Sequence, residues 1–342
     1  MKILMYGDFN FSGGPFDGAT TKTRNIYEVL KERYDDVDYF NIEGWRKNPF
    51  KKIFELKKYT KHTDVIVFIP GARNGTYFAI NYLTKLKHKK NVKLYYFIAG
   101  SLLPIYLKDK PKYIKKIKQI DAIFCETNGL IHELKEFGIE NLYLSCTFDL
   151  RGECDFSPKK QEKENEYRFC SFSRVNREKG LGISIDAINH INNLGKIKIF
   201  YDIYGKLDEN FKEEMEQKIS NSNGQIRYLG LIPDENVIST LSKYDANIFA
   251  TFFKGECLPA TVIESLKACT PVIISDWKYN REVIEHDKEG FVFGNSTDDL
   301  IKMIMEKCSQ SNPFENMRYN CYLKSKKYSR DECLKDLFKL IG

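Results

Sequence analysis

Short apolar runs rich in β-forming residues recur along the chain, and most are separated by charged stretches with helical apolar spacing, such as TKTRNIYEVLKERY and GLIHELKEFG. Alternation of strand and helix predicts a parallel sheet with helices on both faces, so the fold class is α/β. In the first part of the chain the runs lie at 2–7, 36–42, 64–70, 92–100, 122–127 and 141–147.

The pattern breaks at 151–166, where the sequence turns polar, and then restarts. The later runs are RFCSFSR, IKIFYDIYG, IRYLG, ANIFAT, PVIISD and GFVFG. We therefore predict two Rossmann-like domains, at 1–155 and 165–325, joined by a linker and facing each other across a cleft. Ligands of such sheets bind beyond the carboxyl ends of the strands.

Composition sets the class of protein and of partner. The 342 residues are 42% hydrophobic, which supplies apolar side chains for two cores, and the net charge of +7 suits an acidic partner. A nucleic acid, an anionic membrane and a phosphorylated small molecule all meet that description. None of the usual nucleic-acid recognition motifs is present, so we expect no nucleic-acid partner.

Cysteine usage and the start of the chain indicate the compartment. The nine cysteines are scattered singly, without CxxC pairs or zinc-like spacing, which is typical of buried thiols in a reducing cytosol. The stretch MKILMYGDF is too short for a signal peptide or an anchor, and no run of 18 apolar residues occurs. We expect a cytoplasmic protein, at most peripheral on the cytosolic face of a membrane.

Two carboxylates occur in KGECLPATVIESLKACTPVIISD. Glu256 follows the predicted strand ANIFAT and so lies in a loop at the carboxyl edge of the second sheet. Pro259 suits the first turn of the next helix, which places Glu264 on its early turns. The free N–H groups at that helix start favour a bound anion, which would lie between the two glutamates.

Two cations follow the first strand of the second domain, in FSRVNREKGL. Arg174 and Lys179 lie there, just before a helix predicted to open near Gly180. A guanidinium, an ammonium and a helix start at one sheet edge can clamp a diphosphate. A nucleotide sugar fits this description.

Four segments of the second domain, taken in order, resemble the retaining glycosyltransferases of the GT-B fold, specifically glycosyltransferase family four, the glycosyl transferases group 1. They are SRVNREKG, IRYLGLIPDENVISTLSKYDANIFAT, ECLPATVIE and ACTPVIISD. The resemblance covers about 169–295. It departs from the family at Cys257 and Thr270, where glycine is usual.

The resemblance implies a role for each matched position. Arg174 and Lys179 would hold the donor pyrophosphate, Glu264 the ribose hydroxyls, and Glu256 would face the transferred sugar as the catalytic carboxylate. The family transfers sugars with retention and without a tightly bound metal. Backbone groups of the donor loop would contact phosphate or sugar oxygens, at Cys257, Leu258, Pro259 and Ala260.

In the first domain the resemblance extends to GDFNFSGGPFDGATTKTRNIYEVL, which matches a glycine-rich loop near the donor phosphates and the acceptor. Gly18 and Ala19 would approach the phosphates, Gly13 and Gly14 would give the loop its freedom, and Lys22 or Arg24 would touch an anionic acceptor. The loop FIAGSLLP has Ser101 and no histidine, although the family often carries a histidine there. The last helix, about 328–342, is expected to cross back to the first domain.

Lysines and aromatic residues are interleaved at 45–62 and 107–119, a composition typical of an interfacial helix on an anionic leaflet. A solvated lysine face has the same composition, so both interpretations stay open.

Together with these observations, the resemblance implies a metal-independent glycosyltransferase of the hexosyl or N-acetylhexosaminyl class. It would move a sugar from a UDP-sugar to a glycan or lipid-linked acceptor, in bacterial cell-surface polysaccharide or glycolipid synthesis. The alternatives are a GT-B-fold UDP-sugar epimerase and a non-catalytic, basic membrane- or nucleic-acid-binding protein. UDP released only when donor and acceptor are both present distinguishes the transferase from either.

Overall fold

The computed structural model describes residues 1–11, 18–45, 47–71, 73–151, 156, 165–310 and 312–342. The chain divides into two compact units, one formed by Met1–Phe148 with Arg330–Gly342 and the other by Asp149–Ser329.

The described residues of unit 1 form a six-stranded parallel sheet in the order β2-β1-β3-β4-β5-β6. Its strands are β1 (Ile3–Gly7), β2 (Val37–Asn41), β3 (Val65–Phe68), β4 (Lys93–Phe97), β5 (Ala122–Cys125) and β6 (Leu142–Leu144). Its helices are α1 (Gly18–Arg33), α2 (Pro49–Tyr59), α3 (Arg73–Lys90), α4 (Leu103–Asp109), α5 (Ile114–Ile117), α6 (Asn128–Lys135) and the C-terminal α14 (Arg330–Ile341).

The described residues of unit 2 form a second six-stranded parallel sheet, in the order β12-β11-β10-β7-β8-β9. Its strands are β7 (Glu166–Phe172), β8 (Lys198–Tyr204), β9 (Ile226–Gly230), β10 (Ala246–Phe249), β11 (Val272–Ser275) and β12 (Gly290–Phe293). Its helices are α7 (Leu181–Leu194), α8 (Glu209–Ser220), α9 (Val237–Leu241), α10 (Ala260–Lys267), α11 (Asn280–Val283), α12 (Thr297–Lys307) and α13 (Glu315–Ser325).

The predicted fold class is confirmed, because each unit is a parallel sheet with helices. Central strands such as β1, β5 and β10 are buried along their whole length, which is why they read as continuous apolar runs in the sequence. Each unit has its own hydrophobic core.

In unit 2 the strand order reverses between β7 and β10, which are hydrogen-bonded neighbours with Phe169 opposite Ala246. Successive strands run outward from β7 to β9 on one side and from β10 to β12 on the other. The loops that leave β7 and β10 diverge at this point, which is where open α/β sheets form their ligand crevice.

The C-terminal helix α14 belongs to unit 1, as expected from the sequence. Cys333, Leu334 and Leu337 are buried in the unit 1 core, and the Tyr95 hydroxyl donates a hydrogen bond to the Leu340 carbonyl, 2.8 Å away. In the described part of the chain, none of the helices combines the length and the apolar character needed to cross a membrane.

Candidate functional site

The loops after β7 and β10 meet at the point where the strand order of unit 2 reverses. Gly180 has a left-handed backbone, with φ of +73°, and a Cβ atom there would lie 2.0 Å from the Ala250 carbonyl oxygen. Only glycine allows the two backbones to approach so closely. The amide of Phe252 also donates to the Glu178 carbonyl, 2.9 Å away, which ties the two loops together.

Lys179 and Glu256 form an ion pair across these loops. The Lys179 Nζ lies 2.5 Å from the Glu256 Oε2, and the two side chains are 11% and 10% exposed. The Thr251 hydroxyl donates to the same carboxylate oxygen at 3.0 Å. The predicted phosphate-binding ammonium and the predicted catalytic carboxylate are therefore adjacent, and little of either is open to water.

Phe253 lies beside both predicted phosphate-binding cations. Its ring centre is 5.2 Å from the Lys179 Nζ and 5.7 Å from the Arg174 guanidinium carbon, distances at which the ring attracts a cation. The Trp277 Nε1 donates to the Phe253 carbonyl at 2.8 Å, which fixes this loop. Arg174 is exposed, and among the described residues no carboxylate pairs with it.

Glu264 lies on α10, and its carboxylate is paired with the guanidinium of Arg151. Arg151 also donates from Nε to both carboxylate oxygens of Asp149, each 2.9 Å away. Burial raises the pKa of Glu264, and the charge of Arg151 opposes that increase. The position predicted to bind ribose thus already has a cationic neighbour.

Helix α10 begins directly after Pro259, so the proline precedes the first helical turn instead of belonging to it. Pro259 is the N-cap residue, Ala260 is the first helical residue, and no side chain caps the helix. Cys257 and Leu258, just before the helix, are buried. The N–H groups of the first residues of a helix have no acceptor in a preceding turn, which is why a helix start of this kind suits an anion.

Thr270, the position at which glycine is usual in the family, does not have the left-handed backbone that favours glycine. The left-handed backbone lies one residue earlier, at Cys269, with φ of +55°. Thr270 is buried, and its hydroxyl donates to the Leu241 carbonyl at 2.8 Å. The conformation that favours glycine therefore belongs to position 269.

A family model for glycosyl transferases group 1 matches residues 154–324, which is half of the chain. The chain belongs to the group 1 glycosyl transferases. A search of the curated proteins found no match.

Several solved structures resemble this group 1 glycosyltransferase over its full length. HepE of Anabaena, in complex with UDP and glucose, is 13% identical with a TM-score of 0.74, and the match covers 100% of this chain and 99% of that one. Sucrose-phosphate synthase of Thermosynechococcus elongatus is 12% identical with a TM-score of 0.78, and the match covers 100% of this chain and 98% of that one. The lipopolysaccharide outer core galactosyltransferase WaaB is 16% identical with a TM-score of 0.69, and the match covers 100% of this chain and 99% of that one. These likenesses show the GT-B fold, with two Rossmann-like domains.

In unit 1 of this glycosyltransferase, Lys22 is buried, whereas a lysine that binds the acceptor needs an accessible ammonium group. Its Nζ lies 2.9 Å from the Glu126 carboxylate and 3.0 Å from the Ile98 carbonyl, and the Lys22 and Glu126 side chains are 2% and 5% exposed. The ammonium thus has a buried partner at the carboxyl edge of the first sheet. A contact with the acceptor stays a prediction that nothing in this geometry favours.

The other positions predicted in unit 1 are spread over the same sheet edge. Gly18 begins α1 and is exposed, and Ala19 follows it, partly buried. Arg24 donates to the Phe9 and Asn10 carbonyls, at 2.8 and 3.1 Å. Ser101 is buried. Gly13 and Gly14 lie outside the described residues.

In this group 1 glycosyltransferase, three residues that contact the predicted site residues were not predicted from the sequence. Thr251 ends the predicted strand ANIFAT, and a hydroxyl at the carboxyl end of a strand was a usable signal. Arg151 lies in the polar linker, where nothing in the sequence distinguishes it from its neighbours. Phe253 could not be distinguished from the other aromatic residues, because its contact with two cations leaves no pattern in the sequence.

The described residues contain no group of three or more His, Cys, Asp and Glu side chains placed to hold a metal ion.

Proposed function

We propose that this glycosyltransferase transfers a sugar, with retention and without a tightly bound metal, from a UDP-sugar to a glycan or lipid-linked acceptor. It would thus be a hexosyl- or N-acetylhexosaminyltransferase of glycosyltransferase family four. The observation that carries the proposal is the adjacency of Lys179 and Glu256, at 2.5 Å, at the carboxyl edge of the second sheet.

The charges at this edge suit each part of a nucleotide sugar. Arg174 and Lys179 neutralise the pyrophosphate, the start of α10 directs N–H groups at phosphate oxygens, and Glu264 accepts hydrogen bonds from the ribose hydroxyls. Gly18 and Ala19 of unit 1 are assigned to the phosphate side as well.

Glu256 is assigned to the transferred sugar. As the bond to the diphosphate breaks, positive charge develops at the anomeric carbon and negative charge on the leaving group. A carboxylate beside the sugar stabilises the first and the cations stabilise the second. Donor binding would separate Lys179 from Glu256, which gives each group a new partner of opposite charge.

The choice of UDP is supported by HepE of Anabaena, which has been solved with UDP-glucose and has the same fold. An acceptor at the cytosolic membrane face, in cell-surface polysaccharide or glycolipid synthesis, is supported by the surface of α2. Phe50 and Phe54 lie one turn apart there, 77% and 64% exposed, with Lys51, Lys57 and Lys58 exposed around them. Exposed aromatic rings among lysines suit an anionic leaflet.

The two glutamates give the sharpest test, because the proposal gives them different partners. Glu264→Gln should weaken the binding of UDP, which contains the ribose but no sugar. Glu256→Gln should bind UDP nearly as the wild type does, yet lose turnover with donor and acceptor. Calorimetry with UDP and an assay of UDP release measure the two effects, and Glu213→Gln, exposed on α8, is the matched control.

Anomer-resolved NMR of the product tests retention directly, and inversion would contradict the proposal. UDP release that needs no acceptor, or a donor converted to its epimer without release of UDP, would replace transfer by another reaction. If Glu256→Gln loses UDP affinity as strongly as Glu264→Gln and keeps its turnover at saturating donor, the assigned roles are wrong.

A further inference from the structure

The segment 149–151, at the start of unit 2, is fastened to the helix that carries Glu264. The Lys267 Nζ donates to the carbonyl oxygens of Asp149 and Arg151, at 3.0 and 2.5 Å. Lys267 lies three residues after Glu264, so both side chains leave the same face of α10. The helix therefore holds the backbone of Arg151 with one side chain and its guanidinium with another.

Only one oxygen of the Glu264 carboxylate is taken up by this contact. The Arg151 Nη2 pairs with Oε1, and Oε2 has no hydrogen-bond partner within the part of the chain that the structure describes. The Glu264 side chain is 15% exposed. If the Arg151 guanidinium only took the place of the ribose, we would expect it to bind both oxygens of the Glu264 carboxylate in a bidentate pair.

The guanidinium is itself held from three sides. Its Nε donates to the Asp149 carboxylate, its Nη1 donates to the Asp234 carbonyl at 3.2 Å, and its Nη2 reaches Glu264. Burial raises the pKa of Glu264, and the nearby carboxylates of Asp149 and Asp234 raise it further. Arg151 is the cation that opposes them.

We propose that Arg151 is a positioning residue for the nucleotide. It keeps Glu264 ionised and fixes one carboxylate oxygen, so that the other oxygen faces the ribose hydroxyls. This inference rests on the proposed function, because it takes the ribose as the partner of Glu264. The ligand class is a ribonucleoside diphosphate, recognised through its ribose hydroxyls.

The experiment compares UDP with 2′-deoxy-UDP by calorimetric titration of the full chain. The two probes differ only in the 2′-hydroxyl, so the ratio of their affinities reports the ribose contact, and the phosphate contribution cancels. We expect the wild type to prefer UDP by about tenfold, the usual effect of a hydrogen bond to a charged group. Glu264→Gln and Arg151→Met should both bring the ratio close to one.

A pH series separates positioning from damage to the fold. In Arg151→Met the buried Glu264 carboxyl has lost its cation while Asp149 and Asp234 remain, so it should stay protonated to a higher pH than in the wild type. The preference for UDP should then return as the pH rises in the variant, while the wild type keeps its preference to lower pH. A structural defect would leave the ratio unchanged across this range.

Two further variants complete the design. Arg151→Lys keeps the charge and should retain an intermediate preference for UDP over 2′-deoxy-UDP. It also tests the role of Arg151 if Arg151→Met fails to fold. Arg330→Met removes an arginine paired with Glu32 in unit 1 at 2.5 Å, and it should leave the ratio unchanged.

The outcomes distinguish the role of Arg151 from the assignment of Glu264 to the ribose. A wild type that prefers UDP, with the preference lost in Glu264→Gln but kept in Arg151→Met, overturns the role of Arg151 alone. Tighter UDP binding by Arg151→Met with the preference intact also overturns it, because Arg151 would then compete with the nucleotide. No preference in the wild type, or a preference that survives Glu264→Gln, removes the ribose assignment and the inference together.

Discussion

Arg174 and Lys179 belong to the same loop, but their surroundings differ in a way that predicts different defects. Arg174 is exposed, so Arg174→Ala should weaken UDP binding by about 1.5–3 kcal/mol with the free energy of unfolding unchanged. Lys179→Ala should also weaken UDP binding, and it leaves the Glu256 carboxylate poorly solvated and without its cation. The free energy of unfolding of Lys179→Ala should therefore fall by ~1–3 kcal/mol.

Calorimetric titration with UDP and urea unfolding measure these two quantities separately. Lys212→Ala, which removes an exposed lysine from α8, is the control for loss of charge alone. Equal unfolding free energies for Arg174→Ala and Lys179→Ala would show that the ion pair seen here contributes nothing to stability. Unchanged UDP affinity in both variants would remove them from the donor site.

Gly180 is the residue on which the approach of the two site loops depends. Gly180→Ala adds a Cβ that would lie 2.0 Å from the Ala250 carbonyl oxygen, so the loop must shift and UDP binding should weaken. Gly195→Ala is the matched control. Gly195 has a similar φ of +69°, but a Cβ there would meet nothing within 4 Å.

Urea unfolding of the two alanine variants separates backbone strain from collision. Gly195→Ala should lose about 1–2 kcal/mol, the cost of a left-handed backbone with a side chain, and keep its UDP affinity. Gly180→Ala should lose more stability and also lose affinity. Similar losses in the two variants would mean that the loops can separate without harm to the site.

At the scale of elements, central strands could be predicted from sequence because burial on both faces turns each of them into an apolar run, as in ANIFAT, which contains β10. The run IRYLG coincides with the edge strand β9, although only Ile226 of that strand is buried. The positions of Arg174, Lys179 and Glu256 follow from the same argument, since loops after neighbouring parallel strands meet at one edge.

Side-chain partners from distant parts of the sequence could not be predicted in this way. Lys22 lies on an amphipathic helix and looks like a surface cation, but its partner Glu126 follows another strand of the same sheet. Arg151 pairs with Glu264 from a linker that has no periodicity. Such pairs depend on which loops the topology brings together and on local backbone paths, and neither leaves a local sequence pattern.

The helix α2 is the element that the membrane proposal depends on. Replacing Lys51, Lys57 and Lys58 together by glutamine should weaken binding to anionic vesicles by about 1 kcal/mol for each engaged cation. Lys52 is left in place, because its Nζ donates to the Asn41 carbonyl at 2.8 Å. Phe50→Ser with Phe54→Ser should weaken binding through loss of the apolar contact.

Vesicle sedimentation at several salt concentrations measures the effect of these α2 substitutions. The control replaces three exposed lysines of unit 2, Lys196, Lys212 and Lys302. If both lysine triples reduce binding equally, the attraction comes from net charge and not from α2. If neither triple reduces it, the lysines of α2 form a solvated face.

At the scale of the whole molecule, the two units divide the proposed work. Each has its own core and its own sheet. The charged side chains assigned to the nucleotide all lie in unit 2, whereas the positions assigned to the acceptor lie in unit 1. UDP contains no acceptor and no transferred sugar, so its contacts should fall mainly on unit 2.

Hydrogen–deuterium exchange on the full chain tests this division. With UDP at about one hundred times its dissociation constant, binding stabilises the native state by roughly 2.7 kcal/mol. The slowing of exchange should concentrate at 173–181 and 251–264, where the two loops and the start of α10 carry the assigned groups. The unit 1 segment 98–101 should change little, and Arg174→Ala at the same UDP concentration should reduce the slowing at both unit 2 segments. If the slowing is strongest at 98–101 and survives in Arg174→Ala, the nucleotide binds to unit 1, and the donor site has been assigned to the wrong sheet.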